Sequence, residues 1–305
     1  MKTAIVGAGA MGQLFGARLQ LAGTDVVFLD TNQATIDVLN ARGVTLQTES
    51  RTEHTPARAA RASELDETFD LFIIFTKGFH TQAAVASIAH LIGAESCGLT
   101  LQNGLGNAER LQEYFGPSKT LLGVTDFPAD LSAPGMVSSN SRGKVRLGAL
   151  GNVPRLPNIA QLLDSADLHA AVEQDIRIPV WEKVAFNAAL NTLSAVTGLT
   201  VGGIGADPHA RGLVASVLEE TLAVAGRLQI DVSRQRIEAA LDNAFAHHTH
   251  HKTSMLMDRE AGRPTEIDTI GGAVVRLGQD NGVSTPVLAT LCELVRTAAR
   301  PGDNR

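Results

Sequence analysis

The segment from Met1 to Gly12, MKTAIVGAGAMG, runs a short apolar stretch directly into glycines spaced G-x-G-x-x-G, and no other segment limits the fold as sharply. Residues 2–6 read as the first strand of a parallel sheet, with Gly7, Gly9 and Gly12 giving a tight turn, a close backbone approach and tight helix packing. The helix expected at 10–22 would direct its free N–H groups and dipole at a phosphate group. Residues 25–29 are again strand-forming, so the first 30 residues read as strand, helix, strand, about the length that such a unit needs.

Gly7, Ala8, Gly9, Ala10, Met11 and Gly12 therefore form a candidate pyrophosphate loop, and Asp30 closes the second strand about 20 residues on, where a carboxylate accepts from adenosine ribose hydroxyls. The alternative for Asp30 is a solvated strand end or a helix N-cap. A ribose 2′-phosphate beside Asp30 would meet like charge, and Thr31 offers no guanidinium to pair with it. The Asp30-Thr31 pair thus favours NAD(H), with NADP(H) the alternative.

At 305 residues the chain has room for two domains with sizeable cores. Its net charge of −6 gives no support for a nucleic-acid or anionic-membrane partner. The first strand starts at residue 2, leaving no space for a signal or transit peptide, and no apolar run approaches the roughly 20 residues of a bilayer span. A cytoplasmic protein with no membrane partner is expected. Cys97 and Cys292, far apart and outside any metal-ligand spacing, read as reduced, buried thiols.

Beyond Asp30 a helix at 33–41, a strand at 44–48, an apolar strand at 69–75, a helical segment around 81–91 and a strand at 97–102 alternate. That order predicts a right-handed, doubly wound parallel sheet. Between 121 and 150, strand-like pieces split by Pro128, Pro134, Gly135 and Gly143 read as antiparallel strands at the end of that sheet. Helical patterning takes over beyond Asp175, at 179–193, 210–228, 234–245 and 288–299. The expected fold is α/β: an N-terminal Rossmann-type doubly wound sheet (1–174) followed by an all-α C-terminal domain (175–305).

Three groups of residues could carry chemistry. Lys183, Asn187 and Asn191 recur at four-residue steps, each step turning an α-helix about 40° past a full circle, so they form one slowly drifting stripe. The stripe is either a solvated face or a row that holds a carboxylate and a carbonyl, and asparagine is a poor filler for an exposed helix interior. Ser254 precedes an apolar turn, Gly262 and Pro264 break the chain, and Glu266 is expected to open a helix running through 275. There Glu266 and Asp268 would complement the helix dipole. Gln102-Asn103-Gly104-Leu105-Gly106 follows a strand at the carboxyl edge where ligands bind in such sheets, or is only a turn. Lys77 ends another strand in a like position, or is a surface lysine. His247, His248, His250 and His251 cluster locally, with 247, 250 and 251 on one expected helical face. No cysteine accompanies them, and no metal site is expected.

Taken together, these residues resemble the ketopantoate reductase family of the 6-phosphogluconate dehydrogenase-like superfamily. The resemblance rests on the glycine fingerprint, Thr76-Lys77, Gln102-Asn103-Gly104, Lys183-x3-Asn187-x3-Asn191, Ser254-x11-Glu266, and Pro264-Thr265-Glu266-Ile267-Asp268 followed by Gly271. It implies reduction of a small-molecule 2-oxoacid, 2-dehydropantoate, to D-pantoate, normally with NADPH, in a cleft between a Rossmann domain and a helical domain. It implies Lys183 as general acid and Glu266 as a carboxylate orienting substrate and lysine. Asn187, Asn191 and Ser254 would bind substrate, Asn103 would lie beside nicotinamide and substrate, and Lys77 would face the cofactor. A homodimer is a further family expectation.

Two departures stand out. Asp30-Thr31 replaces an arginine-type phosphate grip, and Ser138-Ser139-Asn140 stands where the family often shows a histidine. The family also holds NAD-dependent relatives acting on other branched or aromatic 2-oxoacids, which is the second reading of this chain. A cofactor-binding regulator without turnover is the third, and it would have no use for an acid beside the nicotinamide.

Overall fold

The computed structural model describes residues 1–140 and 143–298. The chain divides into two compact units, Met1–Gln102 with Asn107–Ile176, and Asn103–Gly106 with residues 177 onward.

In the first unit the strands are β1 (Thr3–Val6), β2 (Val26–Leu29), β3 (Val44–Gln47), β4 (Thr52–Thr55), β5 (Arg58–Ala60), β6 (Phe69–Ile74), β7 (Ile92–Thr100), β8 (Thr120–Thr125), β9 (Asp130–Ala133), β10 (Met136–Ser138), β11 (Val145–Gly148) and β12 (Ala170–Val172). The helices are α1 (Ala10–Leu21), α2 (Gln33–Arg42), α3 (Thr81–Ser87), α4 (Asn107–Phe115) and α5 (Leu156–Ser165). Eight strands form one sheet in the order β12-β11-β8-β7-β6-β1-β2-β5. Every neighbouring pair runs parallel except β8 and β11.

Alternation along the strands explains why their sequences are apolar throughout. Ile5, Phe28, Leu71 and Ile73 enter one core, while Ala4, Val6, Val27, Leu29, Phe72 and Ile74 enter the core on the opposite face.

The segment expected as a third parallel strand, 44–48, does not join this sheet. It forms β3 of a separate four-stranded sheet ordered β4-β3-β10-β9. Its pattern gives the reason: Val44 and Leu46 are buried whereas Gln47 is exposed, the signature of a strand with one wet face. The place beside β2 goes to β5. Likewise, of the pieces expected at the end of the large sheet, only β8 and β11 pair antiparallel there, and β9 and β10 belong to the small sheet.

The described part of the second unit is helical apart from its turns: α6 (Arg177–Thr197), α7 (Val201–Ala206), α8 (Pro208–Arg227), α9 (Arg234–His247), α10 (Ser254–Glu260), α11 (Gly271–Asp280) and α12 (Pro286–Ala298). The long helix α6 is the hub, with α7, α8, α9, α10, α11 and α12 packed against it. Local chemistry fixes the starts. Asp207 accepts from the His209 and Ala210 N–H groups ahead of Pro208, and the Glu220 carboxylate takes the Val287 and Leu288 N–H groups at 2.9 and 2.8 Å, tying α8 to the start of α12.

Candidate active site

The glycine loop has the geometry that its sequence demands. Gly7 sits at φ +99°, where a Cβ would lie 2.9 Å from the Thr76 nitrogen, and a Cβ on Gly12 would lie 2.0 Å from the Gly7 carbonyl oxygen. Neither position admits a side chain. Gly9, by contrast, has nothing within 4 Å of its would-be Cβ and caps α1 without any side-chain hydrogen bond. The first-turn N–H groups of α1, from Ala10 and Met11 onward, have no partner inside the helix and suit an anion. The loop therefore fits a dinucleotide pyrophosphate.

Asp30 is tied to that loop. Its Oδ2 accepts the Ala8 N–H at 2.7 Å and its Oδ1 the Asn32 N–H at 2.8 Å. It is not the N-cap of α2; Asn32 takes that place, accepting from Ala34 and Thr35. Lys77 is half-buried just past β6. The adjoining Thr76 carbonyl accepts the Gln102 amide at 2.6 Å, which ties together the ends of β6 and β7.

In the second unit the polar stripe is not a solvated face. Asn187 and Asn191 are only 8% and 6% exposed, and Lys183, one turn before them, is half-buried. Neither asparagine amide makes a hydrogen bond to another described residue. Against α6 pack α10, which begins at Ser254, and α11, which follows Glu266. Ser254 is exposed, and the N-cap of α10 is Thr253, whose hydroxyl accepts the Leu256 N–H.

Glu266 departs from expectation: it opens no helix. It is buried in a turn whose Thr269 and Ile270 N–H groups both return to its carbonyl, and α11 starts only at Gly271. The Thr269 hydroxyl also donates to the Glu266 carbonyl, the kind of local bond that competes with helix growth. Asp268, expected to share a dipole role, pairs instead with Arg296 at 2.6 Å.

Asn103 lies in a loop whose Gly104 and Gly106 stand at φ +89° and +87°. The loop docks on the turn that carries Glu266, through the Leu105 N–H donating to the Thr269 carbonyl at 2.8 Å. A Cβ on Gly104 would lie 2.3 Å from that same carbonyl oxygen. Thr269 was not singled out by sequence, because a contact from 105 to 269 leaves no local pattern. Gln13 was also passed over, although an amide among apolar residues just past the fingerprint was a usable signal.

Among the described residues no group of three or more His, Cys, Asp or Glu side chains is placed to hold a metal ion. His247 ends α9, while His248, His250 and His251 lie in the following turn and do not share a helical face with it. Cys97 and Cys292 are free and buried, and burial pushes both thiols up, Cys292 to about 12. No helix among the described residues is long and apolar enough to cross a membrane.

A doubly wound parallel sheet with this glycine turn defines a Rossmann-type nucleotide-binding protein. Within that class the chain belongs to the ketopantoate reductase PanE/ApbA family, whose model matches residues 3–152 and whose C-terminal model matches residues 175–299. It is similar to the 2-dehydropantoate 2-reductase of Archaeoglobus fulgidus, 31% identical over 296 residues and 96% of each chain. Among solved structures it is similar to D-mandelate dehydrogenase in complex with NADH and anilino(oxo)acetate, 28% identical over 98% of both chains with a TM-score of 0.92. It is also similar to 2-dehydropantoate 2-reductase from Geobacter metallireducens, 29% identical over 98% of this chain and 100% of the other, with a TM-score of 0.91.

Proposed function

We propose that this protein reduces 2-dehydropantoate to D-pantoate with a nicotinamide cofactor, NADH in preference to NADPH. The observation that carries the reading is the row on α6: an ammonium-bearing Lys183 followed by two amides, those of the largely buried Asn187 and Asn191, which reach solvent and make no hydrogen bond to another described residue, in a chain of the ketopantoate reductase family. Buried amides call for hydrogen-bond partners, and a 2-oxoacid supplies them.

When bound, the reduced nicotinamide supplies the hydride. The residues of the chain do the rest. N–H groups of the glycine loop hold the pyrophosphate, and Lys77 faces the cofactor. Each Asp30 oxygen already accepts one N–H and keeps capacity for a ribose hydroxyl, while its charge opposes a 2′-phosphate. Asn187, Asn191 and Ser254 bind the oxoacid. Lys183 stabilises negative charge on the carbonyl oxygen and gives it a proton, oriented by Glu266, with Asn103 beside nicotinamide and substrate.

The likeness to D-mandelate dehydrogenase favours a second reading, a D-2-hydroxyacid dehydrogenase acting on an aromatic or another branched 2-oxoacid. One assay separates them: loss of NADH or NADPH absorbance on adding 2-dehydropantoate, ketoisovalerate or benzoylformate. Fastest turnover is expected with 2-dehydropantoate and NADH, and Lys183→Ala should lower kcat at least about a hundredfold. Faster turnover of benzoylformate or ketoisovalerate would establish the second reading, and a large NADPH advantage would remove the Asp30 argument. Cofactor binding without consumption would leave only a regulator.

A further inference from the structure

Gln13 is wholly buried on α1, one residue past the last fingerprint glycine and followed by the apolar Leu14 and Phe15. Its Nε2 donates to the Ala8 carbonyl at 2.8 Å, and its Oε1 accepts the Gly135 N–H at 2.9 Å. Gly135 lies in the turn between β9 and β10, and its own carbonyl accepts the Thr45 N–H of β3 at 2.7 Å. A relay of three hydrogen bonds thus connects the phosphate loop to the small sheet.

The Ala8 N–H is held as well, by Asp30 at 2.7 Å. Ala8 stands between two glycines, the residues with the widest backbone freedom, so its flanking peptide groups would otherwise rotate with little cost. Anion binding depends on the direction in which loop N–H groups point. Two side chains from outside the loop hold the N–H and the carbonyl of Ala8, and so remove that freedom before any ligand arrives. The identity of residue 13 follows from its partners. One is a carbonyl and the other an N–H, so the head group must donate and accept at once, which an amide does and an ionised carboxylate or a thioether does not.

We propose that Gln13 is a positioning residue for the dinucleotide: braced by the small sheet, it fixes the Ala8 peptide and thereby sets cofactor affinity, leaving the oxoacid's affinity alone. The inference rests on the dinucleotide reading above.

The test uses the full-length protein and two variants. Gln13→Met removes both hydrogen bonds. Gln13→Glu keeps an acceptor for the Gly135 N–H but, ionised, cannot donate to Ala8. NADH dissociation constants come from fluorescence titration, and kinetic constants from varying each substrate in turn. In both variants Kd and KM for NADH should rise about tenfold, the weight of one buried hydrogen bond. The oxoacid KM, and kcat at saturating NADH, should stay within about twofold. In the wild type, hydrogen exchange at the Gly135 N–H should slow when NADH is added, a readout that stands even if a variant does not fold.

The proposal is overturned if folded Gln13→Glu binds NADH as the wild type does, if cofactor and oxoacid constants worsen in parallel, or if Gly135 exchange ignores NADH. Wild-type protein that binds neither NADH nor NADPH would instead remove the dinucleotide reading itself, which the titration shows before any variant is made.

Discussion

Gly104→Ala isolates the contact that holds the Asn103 loop. Gly104 has φ +89°, a conformation that costs an L-residue about 1–2 kcal/mol. The added methyl would stand 2.3 Å from the Thr269 carbonyl oxygen and 2.7 Å from its carbonyl carbon. Both are backbone atoms that cannot swing aside, so the loop must separate from the turn. Separation breaks the Leu105 N–H to Thr269 carbonyl bond, worth about 1 kcal/mol. The expected loss is about 2–3 kcal/mol in urea unfolding followed by circular dichroism. Asn103 moves with the loop, so kcat should fall by at least about tenfold, because misplacement of about 1 Å near the reacting atoms can cost a hundredfold. Gly282→Ala is the control in the same unit: φ is +70°, yet no atom lies within 4 Å of the new methyl, so only the backbone cost of about 1 kcal/mol remains. A Gly104→Ala protein within about 0.5 kcal/mol of wild type and with normal kcat would refute the reasoning.

Three further outcomes are expected. Asn187→Leu should leave the melting temperature unchanged or raised while lifting the oxoacid KM about tenfold, because it removes an amide that no described residue satisfies; a lower melting temperature with unchanged KM would contradict this. Glu67 accepts from Lys2 and pairs with Arg58, and the Lys2 hydrogen bond leads in holding its carboxyl below the ordinary 4.5. Its stabilising contribution is therefore complete above about pH 4.5 and lost as pH falls through the lowered value, so Glu67→Gln should flatten the acid limb of stability against pH and cost no more than about 1 kcal/mol at neutrality. Cys97 and Cys292 should resist a thiol-labelling reagent at pH 8 in the native protein and both react in urea, since burial keeps them protonated; rapid native labelling of Cys292 would show that its burial is wrong.

Sequence alone made some of this visible, for identifiable reasons. β1, β2 and β6 announce themselves because helices cover both faces of the sheet and every residue must be apolar. β5 does not: Arg58-Ala59-Ala60 has no strand signal of its own, and it is a strand because the edge of β2 is there to pair with. The stripe on α6 was legible from spacing, but spacing could not say whether it was wet or buried. Glu266 looked like a first-turn acid only because local rules cannot see Thr269 folding back onto its carbonyl. The docking of Leu105 on Thr269 joins residues 164 positions apart, beyond the reach of any periodicity.

The burial of Asn187 and Asn191 bears on why α6 carries these residues at all. A hub helix packed against six others would be most stable with leucine or alanine at such positions, as at Ala188, Ala189 and Leu190 beside them. The amide atoms of Asn187 and Asn191 are not among the fully enclosed side-chain atoms left without a hydrogen bond, so they still reach solvent, and what the pair costs the hub is the apolar packing that leucine would have supplied there. Packing cannot account for residues that weaken it, whereas a ligand that completes their hydrogen bonds can. The same argument leaves Gln13 in a different position, since its amide is satisfied within the protein on both sides. Unsatisfied amides mark where substrate is expected to bind, and the satisfied one marks a part of the framework that holds the cofactor loop in shape.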